Sequence, residues 1–256
     1  MLNYFSGQGR VLLAQRLPSG MPGPLRWVGD DSSIEFSFAE DTYSRKENWS
    51  GARTEALRRT KEITGTLNTT LVQLNTPNIA LLTRGDSVAQ ATTALTDQVI
   101  ATTLPEVGDF LMLPAFNASA VAIKDSTGSP ITLTADVNYA LHAKEGSIEI
   151  LDMTTGGPFT APLKADLTPG AAEYVKMLSA AEQEYWFRFQ GVNTAVSGNP
   201  KCVVDFYRWR ASPTTSLQLI SEEAGEFPVE GSVLADSTKT ASGDFGFFGR
   251  MMLLDA

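Results

Sequence analysis

The stretch Tyr185-Trp186-Phe187-Arg188-Phe189-Gln190, followed by the turn Ser197-Gly198-Asn199-Pro200 and by Lys201-Cys202-Val203-Val204-Asp205-Phe206, decides the fold class. Phe187 and Phe189 alternate with Arg188 and Gln190; Cys202, Val204 and Phe206 follow at period two. Leu217 and Leu219 suggest a further strand, and Phe227, Val229, Gly231 and Val233 interleave with Pro228, Glu230 and Ser232. A period of two lays one face of each segment on a core and turns the other outward. From Tyr185 to Asp236 the chain therefore reads as successive β-strands that carry packing and surface but little chemistry.

Working outward, the same pattern recurs. A strand is expected near Arg10–Leu17, after a polar arm over residues 1–9. A second, at Ser33–Ala39, sets Ile34, Phe36 and Phe38 against Ser33, Glu35 and Ser37. Residues 62–71 form the clearest amphipathic strand. Ile63, Leu67 and Leu71 face one way; Glu62, Thr64, Thr66, Asn68 and Thr70 face the other. The 4-residue spacing of the apolar side chains also permits a helix, but the threonines and Gly65 favour extended backbone. Thr76-Pro77 announces a helix of about two turns, stopped at Gly85. Short strands are expected at residues 99–104, 110–113, 120–124, 131–135 and 147–151, with 171–181 open between helix and strand. Many short strands between turn signals define a sandwich or barrel.

Between them, residues 40–61 read as a charged loop containing Arg45, Lys46, Glu47, Trp49 and Arg53. A solvated loop is the ordinary reading of such a run. Its length, and the aromatics Tyr43 and Trp49, favour a docking role. The tail from Phe245 to Leu254 holds three Phe and two Met and must be tied down by a core or a neighbour.

Composition narrows the chemistry. The chain has 256 residues, one cysteine (Cys202) and one histidine (His142). That inventory leaves no intrachain disulfide, no cysteine zinc site, and at most one His-based triad. The remaining enzymatic candidates are adjacent acids, Asp30-Asp31 and Glu222-Glu223, which on turns are normally solvated charges. Trp27, Trp49, Trp186 and Trp209 could make a sugar-stacking platform, though scattered tryptophans more often serve cores and interfaces. No catalytic residue, cofactor or metal is expected. The net charge is −9, and all of the excess falls after residue 104: residues 1–104 hold 10 basic and 10 acidic side chains. Such a balance disfavours gripping nucleic acid. The N-terminus lacks a signal-peptide pattern, so a soluble protein made in a cytoplasm is expected.

The order and spacing of several segments resemble the major tail tube proteins of long, non-contractile-tailed bacteriophages. The resemblance is carried by Phe5-Ser6-Gly7-Gln8-Gly9-Arg10-Val11 and by the strand around Ile34–Phe38. It continues through the charged segment ending Glu47-Asn48-Trp49-Ser50-Gly51 and the helix Asn78-Ile79-Ala80-Leu81-Leu82. Its strongest part is Phe187-Arg188-Phe189-Gln190-Gly191-Val192-Asn193, with Glu230-Gly231-Ser232-Val233-Leu234-Ala235-Asp236.

The resemblance implies a mainly β, sandwich- or barrel-like subunit with one or two short helices. It forms a single domain over 1–256, with 106–165 as a β-rich elaboration and 1–9 and 245–256 as terminal arms. Six subunits would close into a ring, and stacked rings would form a tube in the virion, assembled in the host cytoplasm. The implied partners are other copies of the chain, a tape-measure protein, and tail terminator and distal tail proteins. Double-stranded DNA would pass without binding, and no membrane would be involved. On this expectation Glu35, Ser37, Glu62, Thr64, Thr66, Asn68 and Thr70 face the lumen. Arg45, Lys46, Glu47, Trp49 and Arg53 make ring-to-ring contacts. The alternatives are a tube protein of a contractile injection or secretion system, a carbohydrate-binding or capsid-decorating β module, and a two-acid hydrolase.

Overall fold

The computed structural model describes residues 4–240 and 243–254. Along the chain run β1 (Gly7–Gln15), β2 (Arg26–Trp27), β3 (Asp31–Lys46), β4 (Glu55–Leu71) and a helix, α1 (Thr76–Thr83). There follow β5 (Asp86–Ala89), β6 (Leu95–Ala101), β7 (Phe110–Met112), β8 (Ser119–Lys124) and β9 (Thr132–Leu133). Next come β10 (Tyr139–His142), β11 (Ser147–Ile150), β12 (Leu163–Thr168) and β13 (Glu173–Lys176). The last are β14 (Tyr185–Asn193), β15 (Lys201–Ala211), β16 (Phe227–Val229), β17 (Gly231–Val233) and β18 (Gly249–Leu254). The protein is mainly β, as its alternation implies, with a strongly curled sheet and a single short helix.

Contacts divide the chain into two compact units, one formed by residues 1–86 and 175–256, the other by 87–174. The expected elaboration at 106–165 is thus part of a wider segment with its own core. In that segment the sheets β10-β11-β7 and β6-β12-β8-β9 share one cluster that includes Ile123, Leu133, Ile148, Ile150, Leu163 and Leu167. The expected strands do not include β10 or β12, although β12 alternates, with Leu163, Ala165 and Leu167 buried between Lys164, Asp166 and Thr168. The segment leaves and re-enters the first unit through β5 and β13, which pair with each other. Residues 171–181, open between helix and strand on sequence alone, contain β13.

The first unit is built on a nine-stranded sheet with the order β16-β4-β17-β15-β14-β1-β2; β3 pairs with β4 and β18 with β15. Its core unites Val11, Leu13, Leu67, Leu71, Phe187 and Trp209 with their neighbours. At about 25 cal/mol per Å² of apolar surface, such burial is the main stabilising term. A Leu67→Ala cavity would cost about 2–5 kcal/mol. The β14–β15 pairing carries a bulge between Tyr185 and Phe187. Phe187 opposes Phe206 while Tyr185 opposes Trp209, so one extra residue shifts the parity of β15. Cys202, Val204 and Phe206 face the core before the bulge, and Trp209 faces it after. Gly231 follows from this: a Cβ there would collide with the Trp209 indole, whose Nε1 donates to the Leu67 carbonyl at 3.0 Å.

The helix forms where Thr76-Pro77 places it, but its cap is Asn75, whose side chain accepts from the Asn78 amide at 3.0 Å. At the other end Arg84 takes the left-handed conformation (φ 45°), and the Gly85 amide closes on the Ala80 carbonyl. Leu81 and Leu82 enter the core. Buried Asn78 locks the helix to the sheet region, donating to the Val28 and Gln73 carbonyls at 2.6 and 2.9 Å and accepting from Arg26 at 2.9 Å.

Several expectations are corrected. Residues 40–61 are not a loop; most of them form the outer halves of β3 and β4, which pair as an antiparallel hairpin from Asp31↔Leu71 to Lys46↔Glu55. The ladder satisfies the backbone groups that a charged loop would leave to water. Across the hairpin Lys61 and Asp41 form an exposed ion pair at 3.3 Å, a contact of small energetic weight. Leu217 and Leu219 lie outside any strand. Within the expected terminal arms, Gly7–Gly9 belong to β1, paired with β14, and Gly249–Leu254 pair with Lys201–Phe206 of β15; residues 1–3 and 255–256 lie outside the described residues.

Candidate functional site: a two-faced β-ribbon

β3 and β4 contain 16 and 17 residues, about three times an ordinary strand. On its far side β4 is paired with β16 at residues 69–71 and with β17 at residues 65–66. Toward the tip, residues 40–62 have only each other as strand partners among the described residues. The hairpin thus divides into an anchored base and a projecting two-stranded ribbon. A two-stranded hairpin alone is marginally stable in water.

At the base, directly opposed residues share a face. Ser33 opposes Thr70, Glu35 opposes Asn68, Ser37 opposes Thr66, Ala39 opposes Thr64 and Asp41 opposes Glu62. All seven residues assigned to a polar face by alternation are therefore collected on one side: six are exposed and Thr70 is half-buried. Ser33 Oγ donates to Thr70 Oγ1 at 3.0 Å, and the Ser37 and Thr66 hydroxyls lie 2.8 Å apart. The ten side chains of this face include three acids, Glu35, Asp41 and Glu62, and no base; at its outer limit Lys61, unpaired in the bulge between Asp41 and Thr42, reaches the Asp41 carboxylate at 3.3 Å.

The opposite face runs Gly65, Leu67, Thr69 and Leu71 into the core. Alternation assigned Ile63 to the same face, but it is 50% exposed because it lies beyond Gly65, where β17 ends its pairing. Phe36 and Phe38, expected in the core, are 46% and 49% exposed. Each still meets the curl edge-on, Phe36 with Phe206 at 5.3 Å and Phe38 with Phe248 at 5.5 Å. Below Phe36 a cavity of about 450 Å³ is lined by Phe187, Phe189, Val204, Phe206 and Met251 and opens beside Asp31.

The Asp31 carboxyl receives one hydrogen bond, from Thr69 Oγ1 at 3.2 Å, and its buried Oδ2 has no partner. Burial pushes its pKa up to about 6, against the lowering effect of the Thr69 bond. Asp205 is the opposite case. It is fully buried, and Arg188, Arg250 and Trp186 donate to it at 2.8, 3.1 and 3.2 Å. Burial would raise its pKa, but the Arg188 and Trp186 bonds and the guanidinium charge outweigh it, leaving the carboxyl below its ordinary value.

The tip places Arg45 and Lys46 at the end of β3, with Trp49 and Arg53 in the turn; Trp49 is 81% exposed. Arg53 adopts a left-handed conformation (φ 50°). Glu47 is not an outward contact. It is buried, accepting from the Trp49 and Ser50 amides at 3.1 and 3.0 Å and from the Ser50 hydroxyl. These bonds, the Ser50 hydroxyl first, hold its carboxyl below the ordinary range. Its work is to shape the turn that presents Trp49.

Other candidates are dispersed. Trp186 and Trp209 are buried while Trp27 and Trp49 are exposed, so the four tryptophans do not make one platform. His142 stacks on Phe110 at 5.8 Å, with Glu149 at 3.8 Å. Cys202 is buried, as a small hydrophobe. Among the described residues, no group of three His, Cys, Asp or Glu side chains is arranged to hold a metal, and no helix is long and apolar enough to cross a membrane.

The chain belongs to the family described as "Protein of unknown function UCP028589", whose family model matches residues 4–252. No curated protein matches the sequence.

Proposed function

We propose that the chain is a structural subunit that builds the tail tube of a long-tailed phage, closing into rings, expected to be hexameric, that stack into a conduit for the genome. One observation carries the proposal: a single β-ribbon joins a polar face, whose stretch from Ser33 and Thr70 to Ala39 and Thr64 holds no base, to a projecting, aromatic-tipped end. A conduit wall must not grip phosphate, because each cation facing DNA binds it through counterion release. A face of hydroxyls, one amide and three carboxylates meets that requirement.

Two further features support the reading. Outer edges of β3 and of residues 7–10 in β1 have no partner strand among the described residues. Unpaired edges invite another chain, and in a ring they become the subunit bond. The ribbon tip, whose two strands pair only with each other among the described residues, gains a partner when rings stack. The tape-measure, terminator and distal tail proteins would then be the partners within and at the ends of the tube, in the virion.

The test is negative-stain electron microscopy of the purified protein at rising concentration. Hollow tubes of constant width are the expected result. A protein that stays monomeric or forms only small closed oligomers under all conditions would overturn the proposal.

A further inference from the structure

We infer that the ribbon tip of one copy docks onto the acidic segment 218–226 of the next copy, making a head-to-tail contact that fixes the polarity of assembly. The inference rests on the proposed self-assembly and names the surface that receives the tip. Three observations converge on it.

The first is charge. Residues 43–59 carry five basic and two acidic side chains, a net of +3. Residues 218–226 carry Glu222, Glu223 and Glu226 with no base, a net of −3. Among the described residues, Arg45, Lys46 and Arg53 make no ion pair, nor do the three glutamates, all of which are exposed. The opposite signs are left over at two separate places on the same unit.

The second is apolar exposure. Trp49 at the tip is 81% exposed; Leu219 and Ile220, beside the glutamates, are 78% and 90% exposed. Large apolar side chains within an oppositely charged rim match the anatomy of a protein interface, with Trp and Arg the residues that most often dominate its energy.

The third is position. Segment 218–226 leads directly into β16, whose Phe227 pairs with Leu71 at the inner end of β4. The tip lies beyond Glu55, at the outer end of the same strand. At about 3.3 Å per residue, the 17 residues of β4 separate the two surfaces by roughly 50 Å. Complementary patches that far apart, at opposite ends of one extended strand, do not meet within a copy. They make a heterologous contact, which propagates rather than closing on itself.

The experiment uses full-length chains. Protein carrying Asn48→Cys is mixed with protein carrying Ser221→Cys, both on a Cys202→Ala background, and the mixture is oxidised. A disulfide-linked dimer from the mixture, and little from either protein alone, is the expected result. In parallel, Arg45→Glu/Lys46→Glu/Arg53→Glu and Glu222→Lys/Glu223→Lys/Glu226→Lys are made singly and together, with folding checked by circular dichroism. Each reversal alone should lower the pelletable fraction at least ten-fold, and the combined chain should recover it. Wild-type tubes without the cross-link, or a reversed acidic segment that assembles normally, overturn the docking while leaving tube formation intact. A cross-link without tubes keeps the head-to-tail contact and removes the tube. Neither tubes nor cross-link removes both.

Discussion

The pKa values of Asp31 and Asp205 are shifted in opposite directions, and the two carboxyls therefore shape the pH dependence of the first unit's stability from opposite sides. Asp31, raised to about 6, binds its proton more tightly folded than unfolded, where a carboxyl titrates near ~3.9. Its contribution to stability is therefore fully present below the unfolded value and lost as pH rises through the folded one. Asp205 is lowered. Its contribution is present above the unfolded value and lost as pH falls through the folded one. Glu184, held down first by its hydrogen bond from Arg208, and Asp236, where the Thr238 and Arg16 bonds outweigh burial, act in the same sense as Asp205. Stability should consequently rise as pH falls from about 7 toward about 4, then collapse below it. In urea titrations Asp31→Asn should raise the midpoint at pH 8 and flatten the profile between pH 5 and 8. An Asp31→Asn protein that keeps the wild-type slope would show that Asp31 is not the group responsible.

The β3–β4 ribbon is the element on which both assembly readings depend, and it was only half legible in the sequence. Its base could be read because Thr66, Leu67, Asn68 and their neighbours alternate, and burial enforces period two wherever one side packs against a core. The tip could not, because outside the sheet neither face is buried. There Arg45 opposes Leu57 and Tyr43 opposes Arg59, with no apolar rhythm to distinguish strand from loop. The cross-strand ladder that stabilises it links residues far apart in sequence. The acidic segment 218–226 was equally hidden, since adjacent glutamates acquire meaning only when the fold sets them at the far end of β4 from unpaired cations. Leu217 and Leu219 misled for a related reason: two alternating leucines imitate a strand, but a strand also needs a pairing partner, and residues 212–226 pair with none among the described residues. Because the tip is outside the core, deleting residues 43–52 should leave a folded subunit. Circular dichroism and the urea midpoint should stay near wild type while electron microscopy finds no tubes. Normal tubes from the deletion would remove the tip from any role in stacking.

On the scale of the whole molecule, the charge is sorted by unit. Residues 87–174 hold ten acidic and three basic side chains, a net of −7, so the remainder of the chain carries −2 of the total −9. The unit that carries the ribbon and the unpaired edges is almost neutral, which limits self-repulsion where those surfaces meet other copies. The acidic excess belongs mainly to a segment with its own core. Passage of DNA would then depend on the local composition of the ribbon face rather than on bulk acidity. That dependence can be tested by Thr66→Lys/Asn68→Lys, which puts two cations per subunit on an exposed face without touching Leu67 or the core. Tubes of this variant should retain a short DNA duplex at low salt, release it as salt rises with a log–log slope of about 0.9 per phosphate engaged, and shield it from nuclease. Wild-type tubes should leave the same duplex in the supernatant. Duplex that binds the variant yet is digested freely would place the face on the outside of the tube and separate the polar ribbon from any role in conduction.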